Sequence, residues 1–225
     1  FDADYIRTKG FNLGYFQSKW VADELVSKAS ERGLPTCIYR PTHISGDSKT
    51  GIRNTNDYAC QLIKGCIQMG LASDEDTIFD FSPVDYVSQA IVYLSRRKSS
   101  LSRGFLLLNP TPIHWREMVD WIASYGFNLS RIAPDRWMQK LKDHLKQDPG
   151  NPLYTQLPLF EIRPRDHLVL GYPSYIESPR LIEKTSTQTA LKKSGISCPP
   201  VDDKLLKTYF KYFIKSGFLQ DPNRK

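Results

Sequence analysis

The sequence predicts an α/β fold in which residues 1–110 form part of a parallel sheet with crossover helices and residues 111–225 form a helical subdomain. In the first half, helix-like segments alternate with short apolar segments, which is the order expected of crossover units on a parallel sheet. Beyond Pro110, helix-like segments broken by proline-containing loops replace this alternation. We therefore expect two domains that meet near residue 110.

The composition is that of an ordinary globular protein, with 40% hydrophobic and 24% charged residues among 225. No apolar run is long enough to span a bilayer, so a membrane protein is not predicted. The net charge of +7 comes from bases interspersed with acids, which argues against a nucleic-acid partner. The four cysteines form no Cys-x-x-Cys pair, so we expect no metal site and a reduced, cytoplasmic protein.

The first helix and strand follow from hydrophobic periodicity and helix-breaking residues. Residues 13–30 have apolar positions at helical spacing, and Gly33 and Pro35 lie just beyond them, so a helix that ends near residue 30 is predicted. Residues 37–39 form a short apolar run. Pro41 closes this run and cannot donate a ladder hydrogen bond, which suits the end of a strand.

The later elements are predicted on the same grounds. In the first half they are a helix over 56–69 ended by Gly70, a strand over 78–81, a helix over 83–94 with Ser82 as its cap and Pro83 as its first residue, and a strand over 104–108. In the second half, helices are expected over residues 115–125, 134–146, 178–194 and 202–216.

Tyr15 and Lys19 are the residues whose spacing indicates chemistry. On a helix they lie one turn apart on the same face, so the ammonium can approach the phenol. A nearby cation favours the phenolate and lowers the tyrosine pKa from about 10, which suits an acid or base catalyst. About one such pair is expected by chance, but Tyr15 opens a long helix, whereas the similar pair Tyr5 and Lys9 runs directly into Gly10.

Several segments around this pair resemble one enzyme superfamily. They are residues 14–22 (GYFQSKWVA), 33–35 (GLP), 40–47 (RPTHISGD), 50–51, 54–57 and 83–87 (PVDYV). Together they resemble the extended short-chain dehydrogenase/reductases. The finer resemblance is to the thioester reductase domains that terminate nonribosomal peptide and polyketide synthases, and to carboxylic acid reductases and aminoadipate reductases.

This resemblance implies an incomplete Rossmann-like, doubly wound parallel sheet with a helical C-terminal substrate subdomain. It also implies NADPH-dependent reduction of an acyl or peptidyl thioester, held on the phosphopantetheine arm of a carrier protein, to an aldehyde or alcohol. Tyr15 would donate the proton and Lys19 would hold the nicotinamide ribose. The loop of Pro41, Thr42, His43 and Ile44 would face the nicotinamide, because it follows the carboxyl end of a strand.

Three polar residues are the candidates for substrate binding. By the same resemblance, Asn54, Asn56 and Asp57 would line the entrance for the pantetheine arm. Capping of the helix predicted over 56–69 explains these residue types equally well. His43 replaces the glycine common at its position in the family, so it is expected either as a partly exposed loop imidazole or as a contact to cofactor or thioester.

The sequence departs from the family pattern in its phosphate loop. It contains no G-x-G-x-x-G or G-x-x-G-x-x-G segment, and the family's catalytic Thr or Ser belongs to a strand upstream of Tyr15 that this chain lacks. Without glycine-rich amides at a helix N-terminus the pyrophosphate has no cradle. We therefore interpret the chain, which begins without Met, as the C-terminal portion of a reductase, monomeric within a larger synthase. Alone it should neither bind NADPH tightly nor turn over.

Two other functions remain open from the sequence. The Tyr-Lys pair and the Arg-Pro loop also fit a nucleotide-sugar epimerase or dehydratase of the same superfamily, which would give an isomer without net oxidation. A non-catalytic carrier-docking scaffold is the alternative from another class. The lysines of the last predicted helix form a basic stripe that is either a solvated face or a surface for an acidic carrier: Lys204, Lys207, Lys211 and Lys215.

Overall fold

A computed structural model describes residues 14–161 and 184–223, apart from the side chains of residues 15, 16, 161 and 184–186. In these ranges the α-helices are α1 (Gly14–Glu31), α2 (Tyr58–Met69), α3 (Val84–Ser95), α4 (Trp115–Ser124), α5 (Pro134–Gln147), α6 (Leu157–Glu161), α7 (Lys184–Leu191) and α8 (Asp203–Lys215). The strands are β1 (Cys37–Pro41), β2 (His43–Ser45), β3 (Leu71–Ser73), β4 (Ile78–Phe79), β5 (Phe81–Pro83), β6 (Arg103–Leu107), β7 (Ile113–His114) and β8 (Ser130–Ile132). No helix in the described ranges is both long and apolar enough to cross a membrane.

The described residues divide into two compact units, each built from separate stretches of chain. The first unit combines residues 14–44, 80–110 and 184–199. The second combines residues 45–79, 111–161 and 200–223. The chain changes from the first unit to the second at the predicted boundary, residue 110. It also changes units at other points, so neither unit is one continuous stretch of sequence.

The first unit is centred on the parallel pair of β1 and β6. Their register runs from Cys37 opposite Arg103 to Pro41 opposite Leu107. One buried cluster joins this pair to α3 and α7: Tyr86, Val87, Ala90, Leu94, Phe105, Leu107 and Leu191. The predicted alternation of helices and parallel strands is therefore confirmed. Leu191 comes from a helix that the sequence assigned to the other domain, because helical periodicity does not tell which core a helix joins.

The described part of the second unit contains four short strands, of which the sequence predicted only β4, as the start of the strand expected over 78–81. Strands β3 and β8 pair in parallel, and β4 pairs with β7 in antiparallel orientation. Each has only two or three residues, which is too short for a periodic pattern to emerge. The buried faces of α2, α4, α5 and α8 supply most of the apolar side chains of this unit.

Helix α2 shows how local chemistry sets helix ends. Asp57 is its N-cap and accepts a hydrogen bond from the Cys60 N–H at 2.8 Å. Gly70 ends it with φ of 71°, a left-handed conformation that glycine adopts without strain. The predicted stop at Gly70 is confirmed, and the helix starts two residues later than predicted because the capping residue itself stays extended.

The segment around Asp80 corrects two details of the prediction. The expected strand over 78–81 is divided into β4 and β5 at Asp80. Ser82 lies in β5 and makes no cap, and Pro83 precedes the first helical residue of α3. The Ser82 hydroxyl donates instead to the Asp80 carboxylate at 3.1 Å, so it is not turned towards the helix N-terminus.

Helix α3 permits a direct test of the first-unit core. Leu94 is fully buried, whereas Val92 on the same helix is 58% exposed. Replacing Leu94 with Ala removes buried methyl groups and leaves a cavity, so the free energy of unfolding should fall by about 2–5 kcal/mol. Val92→Ala should change it by less than about 0.5 kcal/mol. Urea denaturation of both variants checks this, and equal effects would contradict the assignment of α3's buried face.

Candidate functional site

Helix α1 includes both Tyr15 and Lys19, as the sequence predicted. Lys19 is exposed, and the side chain of Tyr15 lies outside the described part of the structure. Positions 15 and 19 are four residues apart in this helix, so they lie on the same face. The approach of the ammonium to the phenol therefore stays a prediction.

A two-point ion pair fastens α1 to the end of β1. Arg40 donates from Nε to Asp23 Oδ1 at 2.7 Å and from Nη2 to Asp23 Oδ2 at 2.6 Å. The side chain of Arg40 is only 10% exposed, so this contact lies mostly out of water. Such a bidentate pair fixes distance and orientation together. Because Asp23 follows Lys19 by one helical turn, the pair holds the Lys19 turn beside the strand that leads to Pro41.

The loop predicted to face the nicotinamide begins at the carboxyl end of β1 and β6. Thr42 donates from its backbone N–H and from its hydroxyl to the Leu107 carbonyl at 3.2 and 3.3 Å. His43 is half-buried in β2, and its ring meets that of Phe81 edge-on at 5.3 Å. The expectation of a loop imidazole is thus corrected: the ring is part of a strand packed on an aromatic. Ile44 is 42% exposed.

A buried polar network that the sequence analysis missed supports this loop. Asp80 is 3% exposed, and its Oδ1 accepts from the Asn109 N–H at 2.8 Å and from the Ser82 hydroxyl. The side-chain amide of Asn109 donates to the carbonyls of Phe81 and Pro199. The Thr42 and Ser82 hydroxyl oxygens are 3.4 Å apart. These bonds join the segments that follow β1 and β6, and their long sequence separations left no local signal.

The predicted substrate-binding residues belong to the second unit. Asn54 and Asn56 are exposed, and Asn54 Oδ1 accepts from the Asn56 N–H at 3.0 Å in a local turn. Asp57 caps α2, and its Oδ2 accepts from both Nε and Nη2 of Arg53, at 3.2 and 2.6 Å. Asp57 therefore has the structural role that the sequence allowed. A substrate role for all three residues stays a prediction.

The loop after β2 is held by a tyrosine from the last helix. Tyr209 is 2% exposed and donates its hydroxyl to the Gly46 carbonyl at 3.0 Å, so Ser45 donates to the Tyr209 oxygen at 2.7 Å. A Cβ on Gly46 would lie 2.9 Å from the Gly51 carbonyl oxygen and 3.1 Å from the Tyr209 ring. Glycine is thus required here for close packing. Tyr209 was not a sequence candidate, since nothing in its own segment indicates this contact.

Burial holds several phenols and thiols of the described residues in their protonated form. Burial raises the pKa of Tyr39 and Tyr58, and burial followed by the nearby Cys198 and Asp80 raises that of Tyr86 to about 12. Burial, then the charges of Asp80 and Asp85, raises the pKa of Cys198 to about 12. These groups stay protonated at neutral pH. Among the described residues no group of His, Cys, Asp and Glu could hold a metal ion.

Comparison with known proteins agrees with this geometry. Residues 3–91, which include Tyr15, Lys19 and the Pro41 loop, match an NAD-binding family described as male sterility protein. A linear gramicidin synthase of Brevibacillus parabrevis is 33% identical over 92% of this chain and 4% of its own length. The large subunit of the L-2-aminoadipate reductase of Eremothecium gossypii is 30% identical to this chain. The match covers 95% of this chain and 15% of the large subunit.

Solved structures extend the comparison to the fold. The crystal structure of the terminal R domain from the myxalamid PKS-NRPS biosynthetic pathway is 38% identical, with a TM-score of 0.80 over 93% of this chain and 51% of that one. A thiolation-reductase di-domain from an archaeal nonribosomal peptide synthetase, at 23% identity and a TM-score of 0.68, shares the fold. The chain thus spans about half of the first of these structures and a small part of the curated relatives.

Parallel strands, a loop at their carboxyl ends and a helix fastened beside it are features of nucleotide-binding α/β domains, and the family match indicates a nicotinamide cofactor. Residues 3–91 match that NAD-binding family and the chain as a whole is similar to terminal reductase domains and aminoadipate reductases, so the resemblance seen in the sequence is confirmed. The predicted α/β class is confirmed by the same neighbours.

Asp47, in the loop after β2, gives a test by pH. Its Oδ1 accepts from the Thr50 N–H, the Thr50 hydroxyl and the Lys49 N–H, at 2.8, 2.9 and 3.0 Å. These bonds, led by those from Thr50, lower the pKa of Asp47 below its ordinary value. Its contribution to stability is therefore present above the unfolded-state pKa and is lost as the pH falls through the lower, folded-state pKa.

We expect Asp47→Asn to be less stable than the wild type at pH 6 and the difference to shrink at pH 3. Urea midpoints at the two pH values measure this. Thr50→Val removes the hydroxyl donor but keeps the backbone one, so it should change stability in the same direction by a smaller amount. A difference that grows on acidification would refute the role given to the Asp47 carboxylate.

Proposed function

We propose that this chain is the catalytic and substrate-binding portion of an NADPH-dependent thioester reductase. The substrate is an acyl or peptidyl thioester on a phosphopantetheinylated carrier protein, and the product is an aldehyde or alcohol. The observation that carries the proposal is the Asp23–Arg40 pair, which holds the Lys19 turn of α1 next to the strand leading to Pro41. The chain's similarity to synthase and aminoadipate reductase sequences supports the reaction class.

The residues at this edge fit one end of a nicotinamide cofactor. The exposed Lys19 offers donors suited to ribose hydroxyls, and the backbone of Thr42 to Ile44 begins where the parallel strands end. The cofactor, when bound, supplies the hydride. The 225 residues contain no glycine-rich loop for the pyrophosphate, so we expect these residues by themselves to bind NADPH weakly.

The chain's own groups perform proton transfer and positioning. The Tyr15 phenol donates a proton to the thioester oxygen as negative charge develops there, and the Lys19 ammonium stabilises the resulting phenolate. Arg40 and Asp23 act as positioning residues, because their two hydrogen bonds set where α1 lies against β1. The hydroxyl proton then returns to the Tyr15 phenolate as the C–S bond breaks, so that the aldehyde remains and the thiolate leaves to take up a proton as the free thiol. A second hydride, from a second NADPH, would reduce the aldehyde to the alcohol.

The substrate enters as the arm of a carrier protein. Asn54 and Asn56 are exposed and have polar groups that suit the amides of pantetheine, and the half-buried Asp57 is the third candidate. Lys204, Lys207, Lys211 and Lys215 are all exposed on α8, and Lys207 is paired with Asp203 at 2.8 Å. This lysine stripe would attract an acidic carrier over long range and raise its association rate.

The catalytic pair is tested in a reductase domain that joins these residues to a glycine-rich nucleotide-binding half. Tyr15→Phe should lower the rate of thioester-dependent NADPH oxidation by about 10²- to 10⁴-fold, because the proton donor is lost. Lys19→Met should lower the rate and raise the KM for NADPH. Tyr154→Phe, at a residue 54% exposed in the second unit, is the matched control and should be unaffected. An isomeric product without NADPH consumption would favour the epimerase alternative.

The lysine stripe is tested by charge reversal in the same domain. The double variant K211E/K215E should slow reduction of a carrier-bound thioester several-fold, with the effect shrinking at high salt, and should spare a free pantetheine thioester. The double variant K140E/K146E makes the same charge change at exposed lysines of α5 and is the control. Equal effects on carrier-bound and free substrates would remove the docking surface from the proposal.

A further inference from the structure

The first unit contains an open basic pocket at the edge of the sheet opposite the Pro41 loop. It has a volume of about 270 Å³, and four of its nine lining residues are cations: Arg97, Arg103, Lys192 and Lys193. Among the described residues that line it, none is acidic. The chain as a whole has 24 acidic and 31 basic residues. A pocket lined by four basic residues and no described acidic one is therefore more positive than this overall composition predicts.

Both guanidinium groups of this pocket are oriented by aromatic side chains. Arg97 donates from Nη1 to the Tyr93 hydroxyl at 2.6 Å, and its Cζ lies 4.7 Å from the Tyr93 ring centroid. The Cζ of Arg103 lies 5.5 Å from the ring centroid of Phe105, which is fully buried and lines the pocket. An oriented guanidinium loses less conformational entropy when it binds an anion, so this arrangement favours binding.

The helix dipole accounts for only some of the four basic residues in this pocket. Lys192 and Lys193 follow the last residue of α7, and Arg97 lies two residues beyond α3, positions where the helix dipole favours cations. Arg103 instead is the first residue of a strand. The residue before it, Ser102, has φ of 57°, a left-handed backbone that costs a non-glycine residue free energy. The lining also includes hydroxyl groups, which donate to oxyanions and which the dipole does not require.

The pocket is distinct from the candidate catalytic site. Arg103 pairs with Cys37 at the amino ends of the parallel strands, whereas Pro41 and Leu107 end them. Four residue steps along a strand separate the two edges by about 13 Å. A ligand in this pocket therefore does not occupy the position assigned to the nicotinamide.

We propose that this pocket is a binding site for a phosphate group. The two oriented guanidiniums can each donate twice to a tetrahedral oxyanion, and the two lysines add mobile positive charge. Its volume is below the range typical of drug-sized ligands, about 300–1,000 Å³, so it suits inorganic phosphate or a small phosphate ester and not a dinucleotide.

The test is a titration of the full chain with inorganic phosphate by isothermal calorimetry, at constant ionic strength maintained with chloride. Wild type should show saturable binding. The K192E/K193E double variant should bind at least tenfold more weakly, and Arg103→Lys, which keeps the charge but loses the two-point donor, several-fold more weakly. K211E/K215E makes the same charge change on α8 and should bind like the wild type. Circular dichroism confirms that each variant is folded.

A second arm uses a phosphate monoester, glycerol 3-phosphate, under the same conditions. Equal or tighter binding of the ester would support a site for phosphorylated small molecules, and tighter binding of inorganic phosphate would support a site for the free ion. Absence of saturable binding, or an equal loss in K211E/K215E, would overturn the proposal. Neither NADPH nor a thioester is present in this assay, so its outcome is independent of the reductase proposal.

Discussion

The two hydrogen bonds between Asp23 and Arg40 are the contact on which the proposed site depends. They connect a helix that has few buried residues of its own to a strand in the core of the first unit. Some apolar side chains of α1 are exposed, such as Leu25 at 58%. The bidentate ion pair, in which the Arg40 side chain is 10% exposed, orients the helix against the strand at the cost of desolvating two charges.

Buried hydrogen bonds also hold the segments at the carboxyl ends of β1 and β6. One buried carboxylate, Asp80, accepts the Asn109 amide, while the Asn109 side chain donates to two carbonyls. Buried polar groups that are fully hydrogen-bonded make a segment rigid, and the loop that we propose to face the nicotinamide must be rigid to orient a flat ring. The polar interior of the first unit is thus concentrated beside its proposed chemistry.

Much of the fold followed from local patterns. Gly70 ended its helix because it reaches the left-handed conformation without strain, and the short apolar runs before Pro41 and Asn109 became the paired strands β1 and β6. Strands β2, β3, β7 and β8 escaped prediction because a strand of two or three residues is too short to show a periodic pattern. The assignment of Ser82 as a cap was wrong since a buried carboxylate competed for its hydroxyl.

By itself the sequence determined the class of the protein, the order of its main helices and strands, and the helical spacing of Tyr15 and Lys19, because these depend on residues within a few turns of one another. Only the tertiary structure decided that Asp23 and Asp80 support the proposed site and that Tyr209 holds the loop after β2. It also decided that the chain passes back and forth between two cores. Those contacts join residues 17 to 164 positions apart, and no local pattern encodes a partner at that distance.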